Sequence, residues 1–210
     1  HQMVKRDDGW HERTVELDAA GKLVFGVAPE PTPRFEVLLP PLVRAAPVGA
    51  IFEWRPDSEI MALATRLRET GGAALIVDYG HVRSDAGDTL QAIARHSFAD
   101  PLQNAGEADV TAHVDFQALA RAAEDVGACV HGPVTQGEFL QRLGIEARAN
   151  SLKAKASEDV AEGIETAKAR LIGGGRGGMG AMFKVLAISD PSLPMLVGFA
   201  DEDPAAGAAP

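Results

Sequence analysis

The chain of 210 residues is 46% hydrophobic and 24% charged, an ordinary globular composition that excludes a disordered polymer and a membrane-embedded bundle. Asp plus Glu number 30 against 20 Lys plus Arg, a formal net charge of −10 that argues against nucleic acid, and eight Phe, two Trp and one Tyr leave few platforms for stacked bases. One cysteine, Cys129, excludes an intrachain disulfide and a cysteine-built zinc site, and suits a reducing compartment.

The chain opens His1-Gln2-Met3-Val4-Lys5 with no leader pattern behind it, and residues 1–6 read as extended, as if the chain begins inside a fold. Glu12 to Val27 predicts a hairpin, with Gly21 supplying a positive φ in its loop. Six prolines at 29, 31, 33, 40, 41 and 47 exclude a continuous helix or central strand there. The run VLLPPLV among them is too short and broken to span a membrane. A helix is predicted over about 57–70, capped by Asp57 or Ser58, with Ile60, Leu63, Ala64 and Leu67 at helical spacing. After Gly71-Gly72, the apolar run ending in Asp78 predicts a strand buried on both faces, as in a parallel sheet.

The polar stretch that comes next predicts one short strand near 89–94 and little else regular. Such a connection, just past the carboxyl end of a buried strand, is where α/β proteins place ligands. Asp115 predicts the cap of a helix over about 116–126, and Ala128 to His131 a short strand. Thr135 and Glu138 form a capping-box pattern before a short helix. Helices are predicted at about 146–156 and 158–171, then a flexible glycine loop, a strong strand at 181–189, and an acidic, disordered tail over 201–210. The order predicts one α/β domain over 1–200 with a hairpin and Pro-rich insertion over 10–50.

Four patterns bear on chemistry. Gly173-x-Gly175-x-x-Gly178 matches the dinucleotide fingerprint, but a helix precedes it and a strand comes after it, the reverse of what phosphate binding at a helix N-terminus requires. Asp78-Tyr79-Gly80-His81 closes the predicted buried strand: the Asp can accept from a ligand, and the Gly permits close approach of a ligand or of backbone. In Asp109 to Phe116, an extended chain places Asp109, Thr111, His113 and Asp115 on one face, where a His among carboxylates can serve as a general base. Hydrogen-bonded structural roles account for the same residues. Thr135 and Glu138 are explained by capping, and the Gln136 amide can meet a ligand at that helix start. No spacing supports a metal site.

Gly72–His81 (GAALIVDYGH), Gly87–Ala92 (GDTLQA), Asp100–Leu102, Gly106–Phe116 (GEADVTAHVDF), Gly132–Leu140 (GPVTQGEFL) with Leu143–Ile145, and Met179–Leu186 (MGAMFKVL) occur in one order. Together they resemble the MidA-like class I methyltransferases that use S-adenosyl-L-methionine (SAM), whose mitochondrial members are complex I assembly factors. The resemblance implies the later half of a Rossmann-like methyltransferase sheet. It also implies SAM as cofactor, gripped by an acidic-Gly-x-Gly loop upstream of His1, so these residues alone are expected to bind SAM poorly.

By resemblance the reaction is methyl transfer to a protein arginine, with a respiratory complex I subunit as substrate. The compartment is the cytoplasm, or the mitochondrial matrix in a eukaryote. Asp78, Asp109, His113 and Asp115 are the candidate orienting groups or base, and Tyr79, Gly80, His81, Thr111 and Gln136 the candidate substrate contacts. The alternative is a non-catalytic assembly factor that docks a partner on the Pro-rich segment and front hairpin. Neither nucleic acid nor a membrane span is expected; the oligomeric state is not legible.

Overall fold

The computed structural model describes residues 1–104, 106–175 and 178–200, so the expected tail lies outside the described residues. In chain order the elements begin with β1 (Gln2–Arg6), β2 (Gly9–Leu17), β3 (Leu23–Val27), α1 (Phe35–Leu38), α2 (Pro41–Arg44) and β4 (Ile51–Glu53). Next come α3 (Ser58–Thr70), β5 (Ala73–His81), β6 (Gln91–Ala94), β7 (Ser97–Ala99), β8 (Asp109–Thr111), β9 (Val114–Asp115) and α4 (Phe116–Asp125). The last are β10 (Cys129–Thr135), α5 (Gln136–Arg142), α6 (Ile145–Lys153), α7 (Glu158–Ile172) and β11 (Phe183–Ser189). They form two compact units, one from His1–Pro56 and Arg83–His113, the other from Asp57–Val82 and the chain from Val114 on.

The first unit holds an antiparallel sheet of order β3-β2-β1-β4 and a small sheet of order β7-β6-β8. The predicted hairpin is β2–β3, where the Asp18 carboxylate accepts from the Ala20 and Lys22 amides and Gly21 takes φ +75°. In the Pro-rich segment the prolines stop any long helix but allow the single turns α1 and α2, the latter with Pro41 in its first position. Those turns bring Phe35, Leu39 and Val43 onto Met3, Trp10 and Phe52 as the core.

Beside that core the His11 ring is buried at 1% exposure, Nδ1 lying 2.8 Å from the Ala28 carbonyl and Nε2 2.8 Å from an Asp8 carboxylate oxygen. Both partners are acceptors, an arrangement that favours the doubly protonated ring. The Ala28 carbonyl and then Asp8 raise its pKa, against burial and Arg6, which lower it. A raised histidine pKa stabilises the fold fully below the unfolded value of 6.5 and loses that contribution as pH rises through the folded value. Thermal melts of wild type and His11→Gln should therefore differ most near pH 6 and converge at alkaline pH.

The small sheet is not legible in the sequence beyond its first strand. Its strands are three or four residues long, and Ala94↔Ser97 closes a two-residue turn on Arg95 and His96, at φ 50° and 63°. That turn favours Asn-Gly, so the usual hairpin signal is missing. Arg95→Asn with His96→Gly should raise stability by about 1 kcal/mol, read from urea melts.

The second unit holds a sheet of order β10-β11-β5-β9. β11 runs antiparallel to both neighbours, and β5 pairs parallel to β9 only through Gly80↔Val114 and His81↔Asp115. Ile60 and Ala64 of α3 and Phe116, Ala122 and Ala123 of α4 pack with Leu186 and Ile188 of β11, and Ile76 joins them. Toward the other face, Phe139 and Phe199 pack on Val185 and Ala187. The expectation of a strand buried on both faces is corrected here: Leu75 is 54% and Val77 46% exposed. The helices α3 and α4 cover the Ile76 side of β5, and the alternate residues stay open.

Capping agrees with the sequence at two helices. Asp115 accepts from the Ala118 amide, and Thr135 with Glu138 makes both bonds of a capping box. Asp57 and Ser157 occupy the cap positions of α3 and α7 but accept no side-chain cap bond. Between α6 and α7, Lys153 and Lys168 flank Glu165 and hold its carboxyl down at about 2.

Candidate active site

The carboxyl end of β5 gathers the chemistry of the second unit. Gly80 is there for β9: a Cβ on it would fall on the Val114 carbonyl oxygen, so only glycine lets the two backbones meet. Of the two roles open to Gly80, approach of a backbone is the one the structure shows. The pairing sets His81 beside Asp115, with Nε2 3.8 Å from Oδ2, an ion-pair distance too long for a hydrogen bond. Both side chains are largely buried, at 26% and 12% exposure. The other Asp115 oxygen accepts from the Ala118 amide at 3.0 Å, so one carboxylate caps α4 and faces the imidazole.

Strand alternation puts Tyr79 and His81 on one face of β5 and Asp78 on the other. Tyr79 meets Phe183 edge-on, with ring centroids 5.7 Å apart. Asp78 lies opposite Lys184 of β11, and its Oδ1 accepts from the Tyr79 amide at 2.8 Å. Burial lowers the Lys184 pKa, against Glu138, which raises it. Gln136 is buried, and its amide donates to the Leu171 carbonyl at 2.8 Å, a tie between the start of α5 and the end of α7. His131 and Ser189 touch through Nε2 and Oγ at 2.9 Å, both buried within the sheet, and burial lowers the His131 pKa.

The one-face reading of 109–115 does not hold. The segment divides into β8 and β9, which belong to different units, and Ala112 and His113 lie in neither strand. In the first unit Asp109 and Thr111 sit on β8 opposite Ile93 and Gln91. The Gln91 amide donates to His113 Nε2 at 3.3 Å, and the His113 amide donates to Thr89 Oγ1 at 3.1 Å. Among the described residues, no group of three or more His, Cys, Asp and Glu side chains could hold a metal ion. None of the described helices is long and apolar enough to cross a membrane.

Sequence reasoning missed a polar network in the first unit. The Gln2 amide donates to Glu53 and Asp88, each at 2.8 Å, and Arg13 donates to Gln2 at 2.7 Å and Asp88 at 2.9 Å. Thr89 donates to Glu53 through its amide and its hydroxyl. Burial raises the Asp88 pKa, but the Gln2 and Arg13 bonds outweigh it and the net shift is downward. The signal for it is the segment Gly87 to Ala92, which carries the resemblance without a chemical motif of its own.

The described residues of the glycine tract are tied by backbone hydrogen bonds. The Gly180 amide donates to the Gly173 carbonyl and the Gly137 amide to the Gly180 carbonyl, both at 2.9 Å. A Cβ at Gly180 would fall on the Ile172 carbonyl oxygen. Among the described residues, no glycine-x-glycine loop leads from a strand into a helix to receive an adenosyl group.

Comparison with known proteins fixes the family. A family model described as "Putative S-adenosyl-L-methionine-dependent methyltransferase" matches residues 1–134. The mitochondrial protein arginine methyltransferase NDUFAF7 of Mus musculus is 39% identical over 178 residues, covering 83% of this chain and 38% of its own length. Its Drosophila melanogaster homologue is 34% identical over 197 residues, covering 90% of this chain and 44% of its own. A crystal structure from Burkholderia thailandensis with S-adenosyl-homocysteine bound superposes with a TM-score of 0.77 at 30% identity, over 95% of this chain and 52% of that one. The chain thus spans less than half the length of these two curated relatives and about half of the solved neighbour. Its fold is shared with that solved neighbour, and the chain belongs to this family of S-adenosyl-L-methionine-dependent methyltransferases.

Proposed function

We propose that the protein containing this chain transfers a methyl group from SAM to a protein arginine, and that this chain supplies acceptor-side residues. The observation that carries the reading is the 39% identity to a named protein arginine methyltransferase over 83% of the chain. The S-adenosyl-homocysteine in the solved neighbour supports the choice of donor. By resemblance the acceptor arginine belongs to a respiratory complex I subunit.

On this reading the roles of these residues lie on the acceptor side. The site residues are His81, Asp115 and Tyr79. A guanidinium nitrogen must give up a proton when it is methylated, and imidazole is a side chain that takes protons near neutral pH. Asp115, 3.8 Å away, stabilises the imidazolium that forms. Tyr79 flanks the pair on the same face of β5. Asp78 is a positioning residue, its carboxylate fixing the backbone that leads into Tyr79 and His81.

The test uses a protein of the relatives' full length that includes these residues. Incubated with methyl-tritiated SAM and a complex I preparation, it should yield labelled methylarginine on acid hydrolysis. Label found only in another amino acid, or none at all, would reject the reading.

A further inference from the structure

In the second unit, one face of the sheet changes character along β5. Residues paired across strands share a face, as do residues two apart along one strand. Val77 lies opposite Val185, Tyr79 opposite Phe183, and His81 opposite Asp115. These three rows therefore lie on one face, apolar, then aromatic, then ionisable toward the carboxyl end of β5. Val185 is fully buried and packs with Phe139 and Phe199, so the core reaches this face at the apolar row. In the next row the Tyr79 and Phe183 rings stand perpendicular, at 89°, with centroids 5.7 Å apart. Two perpendicular rings form a corner with two apolar walls. The row after it is the His81–Asp115 pair, 3.8 Å apart.

The order of the rows matches the side chain that the reaction has to hold. Arginine carries an apolar stem that ends in a charged guanidinium. Successive rows are about 7 Å apart, twice the rise per residue of a strand. A stem lying in the Tyr79–Phe183 corner spans that distance, so its guanidinium ends at His81, where the Asp115 carboxylate attracts the charge. A shorter side chain lying in the same corner stops short of the imidazole. We infer that Tyr79 and Phe183 hold the stem of the acceptor arginine and so set the length of side chain that is methylated. Phe183 is thereby a specificity-determining residue for the transfer. The inference rests on the reading of His81 and Asp115 as the acceptor site and adds to it the walls that align the acceptor.

The probes are a peptide spanning the arginine that takes the label in the complex I assay, located by peptide mapping, and the same peptide with that arginine shortened by one methylene. Values of kcat and KM for both are measured with the full-length protein and its Phe183→Leu, Tyr79→Leu and Phe139→Leu variants. The parent should prefer the natural arginine by about 10-fold or more in kcat/KM, the scale of one methylene held in an apolar pocket. Phe183→Leu and Tyr79→Leu should each raise KM for the natural peptide about 5–10-fold, with less effect on kcat, and reduce the preference to about 2–3-fold. The preference is a ratio within one sample, so a fraction of unfolded protein does not move it. Phe139 lies in the core of the same unit, and its variant should keep the parent's preference. An unchanged preference in both Phe183→Leu and Tyr79→Leu would overturn the inference and leave the enzyme standing. Loss of the preference in Phe139→Leu as well would also overturn it, since any loosening of the core would then suffice. Absence of labelled arginine with the parent would remove the reading of the enzyme, and the inference with it.

Discussion

Gly80→Ala should cost about 3 kcal/mol or more, a large share of a typical domain's 5–15 kcal/mol. The added methyl meets the Val114 carbonyl, which is backbone and cannot rotate away as a side chain would. Relief requires β9 to move off β5. That movement breaks Gly80↔Val114 and His81↔Asp115 together and pulls on the start of α4, whose cap is Asp115 and whose first residue, Phe116, is fully buried. Local strain thus reaches the α3–α4 core through the two-residue junction. The control is Gly163→Ala: that glycine lies inside α7 with open space where a Cβ would go, so the change should raise stability by up to about 1 kcal/mol. Urea melts of the two variants separate the effects by sign. A Gly80→Ala protein as stable as its parent would mean that β9 is not held where the register places it.

Legibility in the sequence depends on which interactions are local. Asp115 and the Thr135–Glu138 box can be read because a cap binds amides two or three residues away. The hairpin at 12–27 can be read because its loop needs Gly21. The apolar run Ala73 to Val77 signals a strand correctly, but burial of its second face depends on what packs there, and no periodicity encodes that. The small sheet escapes prediction because its strands are barely longer than its turns. The candidate site is half legible. Parity within β5 separates Asp78 from His81, and the break at Ala112-His113 assigns Asp109 and Asp115 to different units. The His81–Asp115 pair depends on a parallel register between segments more than 30 positions apart, and a single chain gives no local sign of that.

His81→Ala in the full-length protein should lower kcat/KM for a protein arginine by about 100-fold or more, the scale of a lost general base. Structural damage could imitate that fall, so Asp115 provides the separation. Asn caps helices as well as Asp, and Asp115→Asn should keep the bond to the Ala118 amide and leave the melting temperature near the parent's. It removes the charge beside His81, so activity should fall about 10-fold or more while the fold persists. A second separation is kinetic: Asp115→Asn and His81→Ala should both lower kcat while the melting temperature of Asp115→Asn stays near the parent's. Full activity in both variants would mean that the pair only ties β5 to β9, and the proton acceptor would have to be sought elsewhere in the protein.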